Sequence, residues 1–209
     1  MKEIDVENWN RKEHYEFFSK MQSPYFGITT EVDCTKTYQL AKEKGESFFA
    51  HYYHKSMVAA NNVENFRYRI YEGKVVVFDE IHAGTTIARE DGTFGFSYVE
   101  FSHDFDVFNQ RLKAEILAVQ NSTGLRLNND DIMINLIRHS TLPWNHFSSV
   151  INPTNFSSGD TVPKIVFGGI SDRDGKKMLP VAIEAHHGLM DGFHLSLYLK
   201  EFQKLLNLE

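Results

Sequence analysis

The clearest apolar–polar pattern lies at the C-terminal end of the chain. From Met178 to His187, Val181, Ile183 and Ala185 alternate with Ala182 and Glu184, the two-residue period of a strand. From Asp191 to Asn207, Leu195, Tyr198, Leu199, Phe202, Leu205 and Leu206 form a helical stripe opposite Lys200, Glu201, Gln203 and Lys204. The same reading predicts a helix over Arg11 to Met21, with Arg11 and Phe18 sharing roughly one face. It predicts a strand over Gly27 to Asp33, a longer helix over Ser47 to Asn61, and a helix over Asp104 to Val119. Phe66 to Tyr71 and Val75 to Phe78 flank Glu72-Gly73 and read as a hairpin. Further strands are expected at Phe94 to Phe101, His146 to Ile151 and Lys164 to Ile170, and Asp130-Asp131 is expected to start a helix. Mixed strands and helices, with helices at both ends, point to an α/β two-layer sandwich: a mixed β-sheet covered by helices. No repeat, low-complexity tract or Pro/Gly/Ser linker divides the sequence, so residues 1–209 are expected to form a single domain.

Composition narrows the possibilities. The chain is 42% hydrophobic and 24% charged, an ordinary globular balance. Its 17 Phe and 9 Tyr suit a thick core or an aromatic-lined pocket. A net charge of -6 and the lack of a Lys/Arg run argue against nucleic acid as a partner. A small cosubstrate with a few phosphates needs only one or two placed cations and stays open. Cys34 is the sole cysteine, so no internal disulfide is expected. Met1 to Asn10 is polar, and no apolar run is long enough to span a bilayer, so no membrane partner is expected and the cytoplasm is the expected location.

The candidate chemistry sits where the last strand meets the last helix: His186-His187-Gly188-Leu189-Met190-Asp191-Gly192. Alternation puts His187 on the face of Val181, Ile183 and Ala185, and His186 on the other face with Glu184. A histidine held at a strand end suits a general base, because imidazole, with a reference pKa of about 6.5, is largely unprotonated at neutral pH. Asp191 stands where it can cap the following helix. The bland alternative is a core or turn histidine beside an Asp-Gly turn. His-His-x-x-x-Asp-Gly has four fixed positions and should recur by chance in roughly one chain in several thousand of this length, which favours the chemical reading.

That motif, ahead of a C-terminal amphipathic helix, resembles the chloramphenicol acetyltransferase family. Trp9-Asn10-Arg11-Lys12-Glu13-His14 resembles the family's N-terminal signature. Phe66-Arg67-Tyr68-Arg69 with Gly73-Lys74-Val75-Val76-Val77-Phe78 resembles its central hairpin. Ser140-Thr141-Leu142-Pro143-Trp144 resembles the stretch that holds its catalytic serine. The matches run in family order from residue 9 to 207. The resemblance implies the coenzyme-A-dependent acyltransferase type of fold in a homotrimer with active sites at subunit interfaces. It implies acetyl-CoA as cosubstrate, no tightly bound cofactor, and a small-molecule alcohol as acceptor, with chloramphenicol the named expectation and antibiotic resistance the role. His187 matches the catalytic base and Ser140 the hydroxyl that stabilises the oxyanion. Arg11 and Asp191 match a salt bridge that holds the site together. Trp144 matches a residue bordering the coenzyme tunnel and Phe18 an aromatic in the acceptor pocket.

The sequence departs from the family at two places. Val166 stands where the family has a threonine near the reacting alcohol, and Gly168-Gly169 replace a more polar stretch. The first departure keeps two other readings in view: an acyltransferase with a different hydroxyl acceptor, and a non-catalytic trimeric ligand-binding relative. The acyltransferase core of 2-oxo acid dehydrogenase complexes shares a related His-x-x-x-Asp-Gly signature, but this chain carries no lipoyl segment. His51 and His54 sit three apart on a predicted helix, but no carboxylate or cysteine completes a metal site in the sequence pattern, so packing is expected there and no metal.

Overall fold

The computed structural model describes residues 1–127, 134–154 and 159–208. In chain order the elements are β1 (Lys2–Glu3), α1 (Lys12–Phe18), β2 (Tyr25–Asp33), α2 (Thr35–Lys44), α3 (Phe48–Asn62), β3 (Tyr68–Tyr71), β4 (Lys74–Val77), β5 (His82–Ala88), β6 (Phe94–Val99), α4 (Phe105–Gln120), β7 (Leu136–Leu142), β8 (Lys164–Gly168), β9 (Ser171–Arg173), β10 (Lys176–His186) and α5 (Gly192–Leu206). The larger sheet runs β2-β10-β8-β7-β5-β6, with β9 paired to β10 off that path. The pairs β5–β7 and β7–β8 are parallel and the others antiparallel, which makes the sheet mixed as expected. A smaller sheet runs β1-β4-β3 and contains the predicted hairpin. No helix among the described residues is long and apolar enough to cross a membrane.

One face of the large sheet carries the core. Ile137, Ile165, Phe167, Val181 and Ile183 meet Tyr53, Met57, Phe108, Leu112 and Phe202, all at most 2% exposed. Helix starts follow local chemistry: Ser47 accepts from the Ala50 N–H at 3.3 Å, and Asp104 accepts from the Val107 N–H at 3.0 Å. Among the described residues, no helix lies on the opposite face of the sheet. Part of it lies under the irregular stretch that follows β7, and the row Thr86, Ser140, Val166, Ala182, Thr29 runs across it.

Several elements differ from the sequence pattern. His146 to Ile151 forms no strand. The chain turns there over the end of β8, where the Gly169 N–H donates to the Asn145 carbonyl at 2.7 Å. Helix α2 is present although its residues show no apolar stripe. Asp33 takes the Thr35 N–H at 3.0 Å and its hydroxyl at 2.6 Å, and Gly45 ends the helix at φ 65°. Strands β5 and β7 escape the pattern because Gly84, Thr85, Thr86, Arg138, His139 and Ser140 dilute their apolar alternation. The predicted first helix is shorter, ending at Phe18, and the Asp130-Asp131 start lies outside the described residues.

Phe202 is fully buried between Phe167 and Tyr198, with ring centroids 5.9 and 5.8 Å away. Phe202→Ala is expected to cost about 3–5 kcal/mol in a denaturant titration. A loss under 1 kcal/mol would show that α5 does not anchor the core as described.

Candidate active site

His187 follows directly on β10. Its N–H donates to the Pro24 carbonyl at 2.7 Å, extending the β2–β10 pairing by one bond. Its carbonyl accepts from Arg11 Nη2 at 3.3 Å. Both backbone polar atoms are thus fixed. The imidazole stacks on the Phe18 ring at 3.9 Å and 3°, and meets the Phe26 ring at 4.3 Å and 33°. Nδ1 is buried and has no hydrogen-bond partner among the described residues. Phe26 also lines a cleft of about 370 Å³ with Tyr25, Ile151, Ala182 and Glu184, and His187 itself does not line it.

The turn beyond His187 is pinned from several sides. Leu189 is fully buried in the small cluster with Tyr68 and Val75, backed by Trp9 and Tyr15. Met190 enters the main core, and Asn65 Nδ2 donates to the Leu189 carbonyl at 3.0 Å. His186 faces away from His187, and its Nδ1 accepts the Gly188 N–H at 3.2 Å. Burial, helped by the neighbouring His187, pushes the His186 pKa down to about 4, so the ring stays a neutral acceptor.

Arg11 and Asp191 meet as the resemblance implies. Arg11 Nη1 donates to Asp191 Oδ2 at 2.7 Å, and Arg11 is only 7% exposed. Asp191 Oδ1 accepts the Phe193 N–H at 3.0 Å and lies 2.9 Å from His194 Nδ1, so one carboxylate both pairs with Arg11 and starts α5. Burial alone would raise the Asp191 pKa. The Arg11 hydrogen bond, the His194 and Arg11 charges and the Phe193 N–H outweigh it and hold the carboxyl at about 2.

The structure thus brings Arg11, Phe18, His187 and Asp191 together. Ser140 and Val166 are elsewhere, side by side on β7 and β8. Ser140 is half-buried and Val166 is 3% exposed. Val166 pairs in turn with Ala182 on β10. Two strand spacings of about 4.8 Å and five residues of about 3.3 Å separate Ser140 from His187, roughly 10 Å across and 16 Å along the sheet. Trp144, on the turn after β7, is 76% exposed, not core. The sequence reading missed Phe26, which packs on His187, and His194, which completes a capping box with Asp191. His194 had a local signal, a polar residue three positions after an N-cap. Phe26 had none, because its contact depends on the β2–β10 pairing. His51 pairs with Glu46 at 2.6 Å and His54 with the Ser102 carbonyl at 2.9 Å, so both serve helix packing.

The family model described as chloramphenicol acetyltransferase matches residues 1–203. A chloramphenicol acetyltransferase of Staphylococcus aureus is 29% identical over 206 residues, covering 98% of this chain and 95% of the relative. A solved structure named chloramphenicol acetyltransferase superposes with a TM-score of 0.92 at 36% identity, covering 99% of this chain and all of its own. A probable dihydrolipoamide acetyltransferase from Listeria monocytogenes shares the fold at a TM-score of 0.68 and 15% identity, over 93% of this chain and 88% of the other.

Asp191 titrates lower in the folded chain than its ordinary value of 3.8, so its contribution to stability is complete above about pH 4 and is lost as pH falls towards 2. Arg11→Met removes the partner and leaves a carboxylate partly stripped of water. The variant is expected to be about 2–3 kcal/mol less stable at pH 7, with the deficit shrinking below pH 4. Urea midpoints at pH 7 and pH 2.5 check this; an equal deficit at both would remove the ion pair from the account.

Proposed function

Because this chain belongs to the chloramphenicol acetyltransferase family, we propose that it transfers the acetyl group of acetyl-CoA to a hydroxyl of chloramphenicol, with His187 as general base and Ser140 as donor to the oxyanion. The observation that carries the reading is His187 itself. Its backbone is tied at both polar atoms and its ring is slotted between Phe18 and Phe26 beside the Arg11–Asp191 pair. With Nδ1 turned inward, Nε2 is the atom left to meet an acceptor alcohol.

The chemistry needs both roles. A neutral alcohol is a poor nucleophile, so Nε2 takes the hydroxyl proton as the new C–O bond forms. The thioester carbonyl oxygen then carries negative charge, which a hydroxyl donor stabilises by about 3 kcal/mol. As the tetrahedral intermediate collapses, the C–S bond breaks and the thiolate recovers the proton from the imidazolium. Phe18 packs one wall of the acceptor side, and Trp144 is offered to the coenzyme.

The separation of Ser140 from His187 within one chain supports a site shared between chains. A reacting carbonyl carbon must lie within a few ångströms of both. A homotrimer with its sites at subunit interfaces meets this requirement, with His187 from one subunit facing Ser140 of its neighbour. The helix-free sheet face carries exposed Phe96, and the stretch beside it exposed Ile151, which suits a surface that another subunit covers. Val166 favours a second reading on the acceptor alone: with no hydroxyl on that strand, the preferred alcohol differs from chloramphenicol.

Thiol release from acetyl-CoA, measured across a panel of alcohols, tests the activity. Chloramphenicol-dependent release is expected, and His187→Ala should reduce it by about a hundredfold to ten-thousandfold. Near-normal turnover in that variant would defeat the base assignment, and stronger release with another alcohol would favour the second reading. Hybrid trimers of His187→Ala and Ser140→Ala chains should contain one intact site in three, and so regain roughly a third of wild-type turnover. Inactive hybrids would exclude a site shared in this way.

A further inference from the structure

Ser140 stands between two strands, and the side chains flanking it differ in kind. On the β8 side is Val166, which can offer no hydrogen bond. On the β5 side is Thr86, whose Oγ1 lies 3.4 Å from Ser140 Oγ. The register agrees, because the last parallel pair, Thr85 with His139, brings the next residues, Thr86 and Ser140, side by side on the helix-free face. Thr86 is half-buried, and its partner on β6 is Phe96, which offers no polar group. The hydroxyl that meets Ser140 therefore comes from β5, although the family resemblance puts a threonine on β8.

We propose that Thr86 is a positioning residue for Ser140. The inference rests on Ser140 being the oxyanion donor. Ser140 has one proton and two lone pairs. If that proton is to point at the oxyanion, Ser140 needs a donor for its own oxygen, and the Thr86 hydroxyl fills that role. A donation from Thr86 to Ser140 restricts the Ser140 rotor and polarises its O–H toward the substrate oxygen. The 3.4 Å separation is long, as hydrogen bonds of a catalytic network are before substrate binds, and it shortens as charge builds on the acceptor.

The experiment compares Thr86→Val, Thr86→Ser, Ser140→Ala and the Thr86→Val/Ser140→Ala double variant of the full chain. Thiol release is measured with acetyl-CoA and the best acceptor of the panel. Thr86→Val keeps the shape of the residue, so the thermal midpoint should hold while kcat falls about fivefold and KM changes little. Thr86→Ser should keep near wild-type kcat. In the Ser140→Ala background, Thr86→Val should have no further effect, because its action runs through the missing hydroxyl. The proposal is overturned if T86V turns over like wild type, if T86S loses as much as T86V, or if the fivefold loss persists without Ser140. Normal turnover in S140A would instead overturn the parent assignment of Ser140, whereas an impaired S140A with an unaffected T86V would overturn this inference alone.

Discussion

A buried guanidinium organises the rest of the site. Arg11 is almost fully enclosed, so its charge must find acceptors inside the protein. It finds the Asp191 carboxylate and the His187 carbonyl, both some 180 residues further along the chain. Such a pair adds little net stability, since desolvation consumes most of the attraction. Its value is geometric. It ties the start of α1, the turn after β10 and the start of α5 together. Phe18 lies seven residues after Arg11, about two helical turns or 10 Å along α1. The helix that supplies the clamp at one end therefore supplies the ring that stacks on His187 at the other.

The turn between His187 and Asp191 is fixed by what its side chains bury. Leu189 goes into the small cluster under β3 and β4, and Met190 goes into the main core. These two anchors pull in different directions and leave the backbone between them little freedom. Asp191 then has to end the turn and begin a helix at once, which explains why one carboxylate takes both Arg11 and the Phe193 N–H. The catalytic geometry assigned to His187 is thus supported by apolar burial beyond it as much as by polar contacts around it.

Much of this was legible in the sequence because the signals were local. Alternation from Val181 to Ala185 and the stripe from Leu195 to Leu206 marked β10 and α5, and the His-His-x-x-x-Asp-Gly junction marked the site. Arg11 and Phe18 came with the family resemblance, and the structure brings both to His187. What escaped was set by pairing rather than by local pattern. β7 reads as polar because Arg138 and Ser140 face the helix-free side, while its inward His139 is fully buried and stays neutral, its pKa pushed to about 3. β5 shows no clear alternation because Gly84, Thr85 and Thr86 interrupt it, and a Cβ at Gly84 would come within 3.3 Å of the Leu136 side chain. The expected strand at 146–151 had strand-like residues but no partner strand to take its backbone bonds.

The two departures from the family pattern lie close together, on β8 and just after it. Val166, Gly168 and Gly169 line the end of β8, and the turn from Pro143 to Phe147 presses on it. A Cβ on Gly169 would come within 2.6 Å of the Pro143 carbonyl oxygen, and one on Gly168 within 3.0 Å of both the Asn145 carbonyl and the Phe147 ring. No polar side chain fits there without moving the turn that carries Trp144. Val166, Gly168 and Gly169 therefore present no polar side chain beside the turn. The hydroxyls on the neighbouring strands are Ser140 on β7 and Thr86 on β5. With Val166 on one side, Ser140 has the Thr86 hydroxyl as its side-chain neighbour on the other.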